Sequence, residues 1–194
     1  MISVPFQTVP FQTILVAIDE SEVSNKALAA AIGLAKALDA KLMLVHVLTS
    51  SDPHSPQLPY TYSTPSTTHM DEAIRQQYEQ DWINYMAHYE SLLKQKTDQA
   101  IAAGVNADFV HPGGFAGPTL CEVARTTDVS LIIIGSHQRR GMAEIMLGST
   151  SNYVTHHAPC SVLVVHPNAE IHQVSVPAQN TAQNSDQKVA LLSS

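Results

Sequence analysis

Residues Leu131 to Thr150, LIIIGSHQRRGMAEIMLGST, hold the residue types and spacing most able to do chemistry. An apolar β-branched run ends in Gly135, a polar basic stretch follows, and Gly148 leads into Ser149 and Thr150 ahead of another helical pattern. Gly135 permits a sharp turn and a close backbone approach. Ser136 and His137 carry donors. Arg139 and Arg140 add fixed charge, and their planar forks suit phosphate. Ser149 and Thr150 fall at a predicted helix N-terminus, where unpaired N–H groups and the helix dipole favour an anion. The combination predicts a phosphate site at the end of a buried strand, and so nucleotide binding. Each part also has a plainer role. Ser149 can cap its helix, worth about 1 kcal/mol. Gly135 can be a strand-end turn, and the arginines can be solvated surface.

Asp19 is the next candidate. It follows an apolar run, Ile14–Ile18, at the carboxyl end of a predicted strand. Two uses are open to it: accepting ribose hydroxyls, as acidic residues do in other doubly wound sites, or N-capping the helix that starts near Ser21.

Competing motifs are missing. The sequence has no GxxxxGK[ST], no strand-borne GxGxxG and no GxSxG elbow. The glycines between 113 and 117 read as turn chemistry. Ten histidines are scattered, with no HExxH or CxxC, so no transition-metal site is expected. Cys121 and Cys160 lie in or beside apolar segments and are expected to be free thiols. No nucleophile, base and orienting group form a recognisable set, so no enzyme is predicted.

These residues need a scaffold. Ile14–Ile18 predicts a strand, 21–38 a helix with Ala27, Leu28, Ala31, Ile32, Ala35 and Leu38 on one stripe, and Lys41–Leu48 a second strand. Residues 49–70 carry Pro53, Pro56, Pro59 and Pro65 and read as a flexible insertion, either a disordered excursion or a lid. From 71 to 103 a long helix is expected. Ile74, Tyr78, Trp82, Tyr85, Tyr89 and Leu92 recur on it at helical spacing, which indicates packing rather than a binding platform. Gly104 ends it. Strands at 107–110, 131–134 and 161–165 alternate with helices at 119–126 and 151–157. Such alternation predicts an α/β domain with a parallel sheet, whose ligands bind at the strands' carboxyl ends near a switch in strand order.

The chain has 194 residues, 44% hydrophobic and 14% charged, with net charge −7. That suits one domain with a sizeable core. The acidic balance argues against nucleic acid and against a basic membrane-surface protein. No run approaches the roughly 20 apolar residues of a membrane span, and the first residues do not read as a signal peptide. A cytoplasmic protein is expected. Residues 1–10 read as an extension, 11–167 as the domain, and 168–194, rich in Gln, Asn and Ser, as a disordered tail.

Taken in order, these segments resemble the universal stress protein family over about residues 11–167. The diagnostic pattern is glycine, two residues, glycine, nine residues, then glycine with Ser or Thr. Here it becomes Gly135-Ser136-His137-Gln138, nine residues, Gly148-Ser149. ILVAIDES, LMLVHVL, LIIIGSH and HHAPCSVLVV flank it in the expected order. The resemblance implies a five-stranded parallel sheet with helices on both faces, of the Rossmann-like adenine-nucleotide alpha hydrolase type. It implies a homodimer through the last strand, and ATP or another adenine nucleotide, with or without Mg²⁺. By position, Ala17 and Asp19 would face the adenosine and Val47 would offer backbone groups to the adenine. Gly135 to Arg140 would surround the phosphates and ribose, and Ser149, Thr150 and Ser151 would hold the phosphate tail. Gln138 stands at the motif's second glycine. A left-handed backbone there costs a non-Gly residue roughly 1–2 kcal/mol, which shifts weight from ATP toward AMP, ADP or a cyclic nucleotide. The leading expectation is a nucleotide-sensing stress-response regulator that acts on an unnamed protein partner. The alternatives are a slow ATPase or autophosphorylating protein and a nucleotide-free dimeric module.

Overall fold

The computed structural model describes residues 11–52, 54–57, 72–136 and 147–168. Nine elements follow in chain order: β1 (Thr13–Ala17), α1 (Glu22–Leu38), β2 (Lys41–Val45), α2 (Glu72–Ala102), β3 (Ala107–Val110), α3 (Ala116–Thr126), β4 (Leu131–Gly135), α4 (Ser149–His157) and β5 (Ser161–Val165). The strands form one sheet in the order β3-β2-β1-β4-β5, and every pairing is parallel. Strand order reverses between β1 and β4, where Ile14 pairs with Leu131 and Val16 with Ile133.

Parallel strands buried on both faces are apolar throughout, because alternate side chains enter opposite layers. Ile14, Val16, Leu42, Leu44 and Ile133 join Ala27, Leu28 and Ala31 of α1 and Leu93 of α2 in one core cluster. Leu15, Val45, Ile132 and Ile134 join Leu120 and Ala124 of α3 and Val154 of α4 in the other. The expected sheet with helices on both faces is therefore present.

Several boundaries differ from the sequence reading. β1 is 13–17 rather than 14–18. β2 stops at Val45, not Leu48, although Leu48 rejoins the sheet through a single parallel bridge to Gly113. α3 begins at Ala116 rather than 119. Pro118 sits in its first turn, where a missing N–H removes no helical bond. Gly117 is inside the helix because a side chain would collide with Tyr153: a Cβ there would lie 2.8 Å from that ring. α4 begins at Ser149 rather than 151.

The stripe on α2 is a packing surface. Tyr85 and Tyr89 are buried and pack against Leu48 with Trp82 alongside, and Leu93 rather than Leu92 reaches the core. Gly104 closes the helix at φ +87°. Residues 49–52 and 54–57 fold back on α2. Ser55 is buried and donates to the Ser50 carbonyl at 3.0 Å. The expected extension, tail and remainder of the insertion lie outside the described residues.

Candidate functional site

A cavity of about 390 Å³ opens at the carboxyl ends of the central strands. Its lining gathers Ala17 and Asp19 after β1, Val47, Thr49 and Asp52 after β2, Gly135 at the end of β4, and Gly148, Ser149, Thr150 and Ser151 at the start of α4. Eight of the twelve residues singled out from the sequence thus share one cavity. Ser136 does not join them. It is fully buried, its N–H donates to the Val165 carbonyl at 2.8 Å, and its hydroxyl lies 3.0 Å from His166 Nδ1. His137, Arg139 and Arg140 lie outside the described residues.

Asp19 does not cap α1. Ser21 is the N-cap, accepting from Ser24 N–H at 3.1 Å, and Asp19 Oδ1 accepts from Ser21 N–H at 2.8 Å. Asp19 N–H in turn donates to Ser24 Oγ at 3.0 Å. These bonds pin the loop and fix the carboxylate at the cavity edge. Lys96 of α2 is nearly buried and donates to Asn25 Oδ1. Burial lowers its pKa, and the charge of Asp19 opposes that shift.

Val47 is placed by alternation. His46 N–H donates to Val110 O at 3.2 Å and Leu48 N–H to Pro112 O at 2.9 Å, both toward the β3 side. On an extended chain successive peptide groups face opposite ways. The N–H and C=O of Val47 therefore face the space left where β1 turns away into the Asp19 loop.

At the other end, Gly148 is the N-cap of α4, with no side-chain cap bond. Ser149 is the first helical residue and not the cap. Its hydroxyl, like that of Thr150, does not cap the helix. Ser151 Oγ is bound to the Gly148 carbonyl at 3.1 Å. The first-turn N–H groups of any helix lack intrahelical partners and carry the positive end of its dipole. Gly135 lies against α1, where a Cβ would come 3.0 Å from Val23 Cγ1. Its smallness serves this packing as well as the cavity.

Across the sheet the cavity is thus polarised. Acceptors gather on the β2 and β1 side, where Asp52 and Asp19 supply carboxylates, and donors gather at the N-terminus of α4. Among the described residues the lining contains no Lys or Arg.

His46, Thr49 and Asp52 were missed by sequence reasoning. His46 is buried, with Nδ1 2.8 Å from the Ile18 carbonyl and its ring stacked on Tyr89 at 3.6 Å and 9°. Desolvation lowers its pKa, with Ile18, Asp52 and Asp19 acting in opposition. The signal was a lone titratable residue inside the apolar run LMLVHVL.

A comparison with protein families matches residues 10–166 to the universal stress protein family. The chain belongs to that family. It is similar to the universal stress protein YxiE of Bacillus subtilis (strain 168), at 32% identity over 155 residues, 80% of this chain and 99% of that protein. Among solved structures it resembles the universal stress protein UspA from Lactobacillus plantarum, with TM-score 0.62 and 22% identity over 80% of this chain and 97% of that one. It also resembles a universal stress protein in complex with cAMP, with TM-score 0.56 and 22% identity over 80% of this chain and 97% of that one. At these identities the two structures establish the universal stress protein fold.

Proposed function

We propose that the chain is a nucleotide-binding regulator of the universal stress protein family, holding an adenine nucleotide in the cavity between β1 and β4. The polarity of that cavity carries the reading. An adenosine presents donors, its exocyclic amino group and ribose hydroxyls, and these suit the Val47 carbonyl, Asp19 and Asp52. Phosphates need donors, and the first turn of α4 supplies them at the opposite end. Arg139 and Arg140 belong to the same loop in sequence, and we assign them to the phosphates. The complex of a similar protein with cAMP supports this choice of ligand class.

Regulation rather than turnover is the proposed role, exerted on a protein partner. Homodimerisation through β5 is part of the proposal. β5 lies at the sheet edge, and Leu163 on it is 37% exposed. The test is a thermal-shift panel on nucleotide-stripped protein with ATP, ADP, AMP and cAMP, each with and without Mg²⁺. Ligand binding to the native state raises the melting temperature by mass action. A shift that Gly148→Val abolishes supports the reading. No shift at millimolar concentrations of any of the four overturns it.

A further inference from the structure

Two buried side-chain polar atoms have no hydrogen-bond partner among the described residues: His46 Nε2 and Thr97 Oγ1. Thr97 lies on α2 outside the cavity lining, whereas His46 lines the cavity. The tautomer of His46 follows from its partner. A carbonyl oxygen only accepts, so Nδ1, 2.8 Å from Ile18 O, carries a proton. In the neutral ring Nε2 is then a bare acceptor. The stacking on Tyr89 and the bond to Ile18 fix the ring plane and its rotation, so Nε2 cannot swing away to find another donor. A buried acceptor left unpaired is costly, and native structures keep few of them.

We propose that His46 is a ligand-reading residue: its Nε2 accepts a hydrogen bond from a donor of the bound nucleoside, either the exocyclic amino group of the base or a ribose hydroxyl. This rests on the nucleotide reading above and sharpens it. Asp19 and Asp52 line the same part of the cavity and are also acceptors. A base edge carrying a carbonyl, as in hypoxanthine, would set acceptor against acceptor. A site built from acceptors alone rejects such a ligand more strongly than it rewards the right one. Burial, the largest influence on the ring, holds it neutral, as an acceptor requires. Asp19, Asp52 and His111 are the charged or titratable groups that bear on it, and the Tyr89 hydroxyl is turned to Asp52.

The test is calorimetric titration of the full chain and of His46→Phe, which keeps a flat ring beside Tyr89 and removes both nitrogens. The ligands are AMP, purine riboside 5′-monophosphate (no amino group), IMP, and the 2′- and 3′-deoxy forms of AMP. In the wild type, removing the donor that Nε2 reads should weaken binding about tenfold. In His46→Phe that same removal should make no difference. The ligand that shows the pattern identifies the donor: purine riboside monophosphate for the amino group, a deoxy form for the hydroxyl. Equal ratios in wild type and variant for every analogue would overturn the assignment of His46 and leave the nucleotide reading intact. Failure of the wild type to bind any adenine nucleotide would remove both. A second readout needs no variant. In ¹⁵N-histidine-labelled wild type, the Nδ1-protonated ring should move its Nε2 resonance toward the hydrogen-bonded range on saturation with AMP. An unmoved resonance means that Nε2 takes no bond from the ligand.

Discussion

The Tyr89 hydroxyl donates to Asp52 Oδ2 at 2.7 Å, joining the middle of α2 to the segment that follows β2. Asp52 Oδ1 is held as well, by His54 N–H at 2.8 Å. One wall of the cavity is therefore fastened to a helix that belongs to the opposite layer of sequence. Tyr89→Phe leaves the ring on His46 and removes only the hydroxyl. It should lower stability by about 1–2 kcal/mol, the range for a bond to a charged acceptor. Urea unfolding should show a reduced midpoint at unchanged slope. An unchanged midpoint would mean that the bond contributes nothing and that Asp52 is held by its own turn.

Gly117 and Tyr153 set the approach of α3 to α4. Gly117→Ala forces a contact 2.8 Å from the Tyr153 ring and 2.9 Å from its Cβ, neither at the far end of a flexible chain. The expected loss is about 1–3 kcal/mol, typical of overpacking. Because α4 carries Ser149 to Ser151 into the cavity, nucleotide affinity should fall with it. Thermal melts with and without AMP separate the two effects. Adding Tyr153→Ala to the same chain should recover part of the packing loss.

Gly135→Ala brings a Cβ to 3.0 Å from Val23 Cγ1. About 1 kcal/mol should be lost, and Val23→Ala should restore much of it. A double-mutant cycle of melting temperatures tests this. Additive effects would show that Val23 is not what excludes a side chain at 135.

His46 gives the ligand-free protein an acid limb. Its folded pKa lies below the ordinary 6.5, through burial. Below 6.5 the unfolded chain binds a proton that the folded ring resists, so stability is intact above 6.5 and declines as pH falls. The melting temperature should drop between pH 7 and 5 by more in wild type than in His46→Phe. Tyr85 gives the opposite limb, since burial pushes its hydroxyl up to about 12. Its contribution to stability should be lost as pH rises from 10 toward 12.

Both cysteines are free, and burial raises both thiols. A disulfide reagent at pH 7 should react slowly with Cys160, which is partly exposed. It should modify Cys121 only as fast as the domain opens. Rapid modification of Cys121 under native conditions would contradict its burial.

Much of this architecture was legible because periodicity is a local property. The stripe on α1 and the apolar strands have spacings that a short window contains. The ends were less legible. Val45 and Leu48 are equally apolar, yet only a neighbouring strand determines where the ladder stops. Gly117 and Pro118 read as a turn, because nothing local reveals that Tyr153 occupies the space beside them. The cavity's central residues, Asp19, Gly135 and Ser149, stand at strand and helix ends that the pattern marks. His46 was opaque for the opposite reason. Its character comes from Ile18 and Tyr89, partners 28 and 43 positions away, which no window around residue 46 contains.

The central pairing of β1 with β4 has a kinetic meaning. Thr13 N–H reaches Ser130 Oγ across 117 positions of sequence. That closure must be made before its contacts repay the lost chain entropy. During synthesis the N-terminal strand thus waits for the fourth while β2 alone stands beside it, and one of its edges stays bare. A nucleotide can select only the chain in which that wait is over, so occupancy of the cavity would report completed folding of the domain as much as the level of the nucleotide.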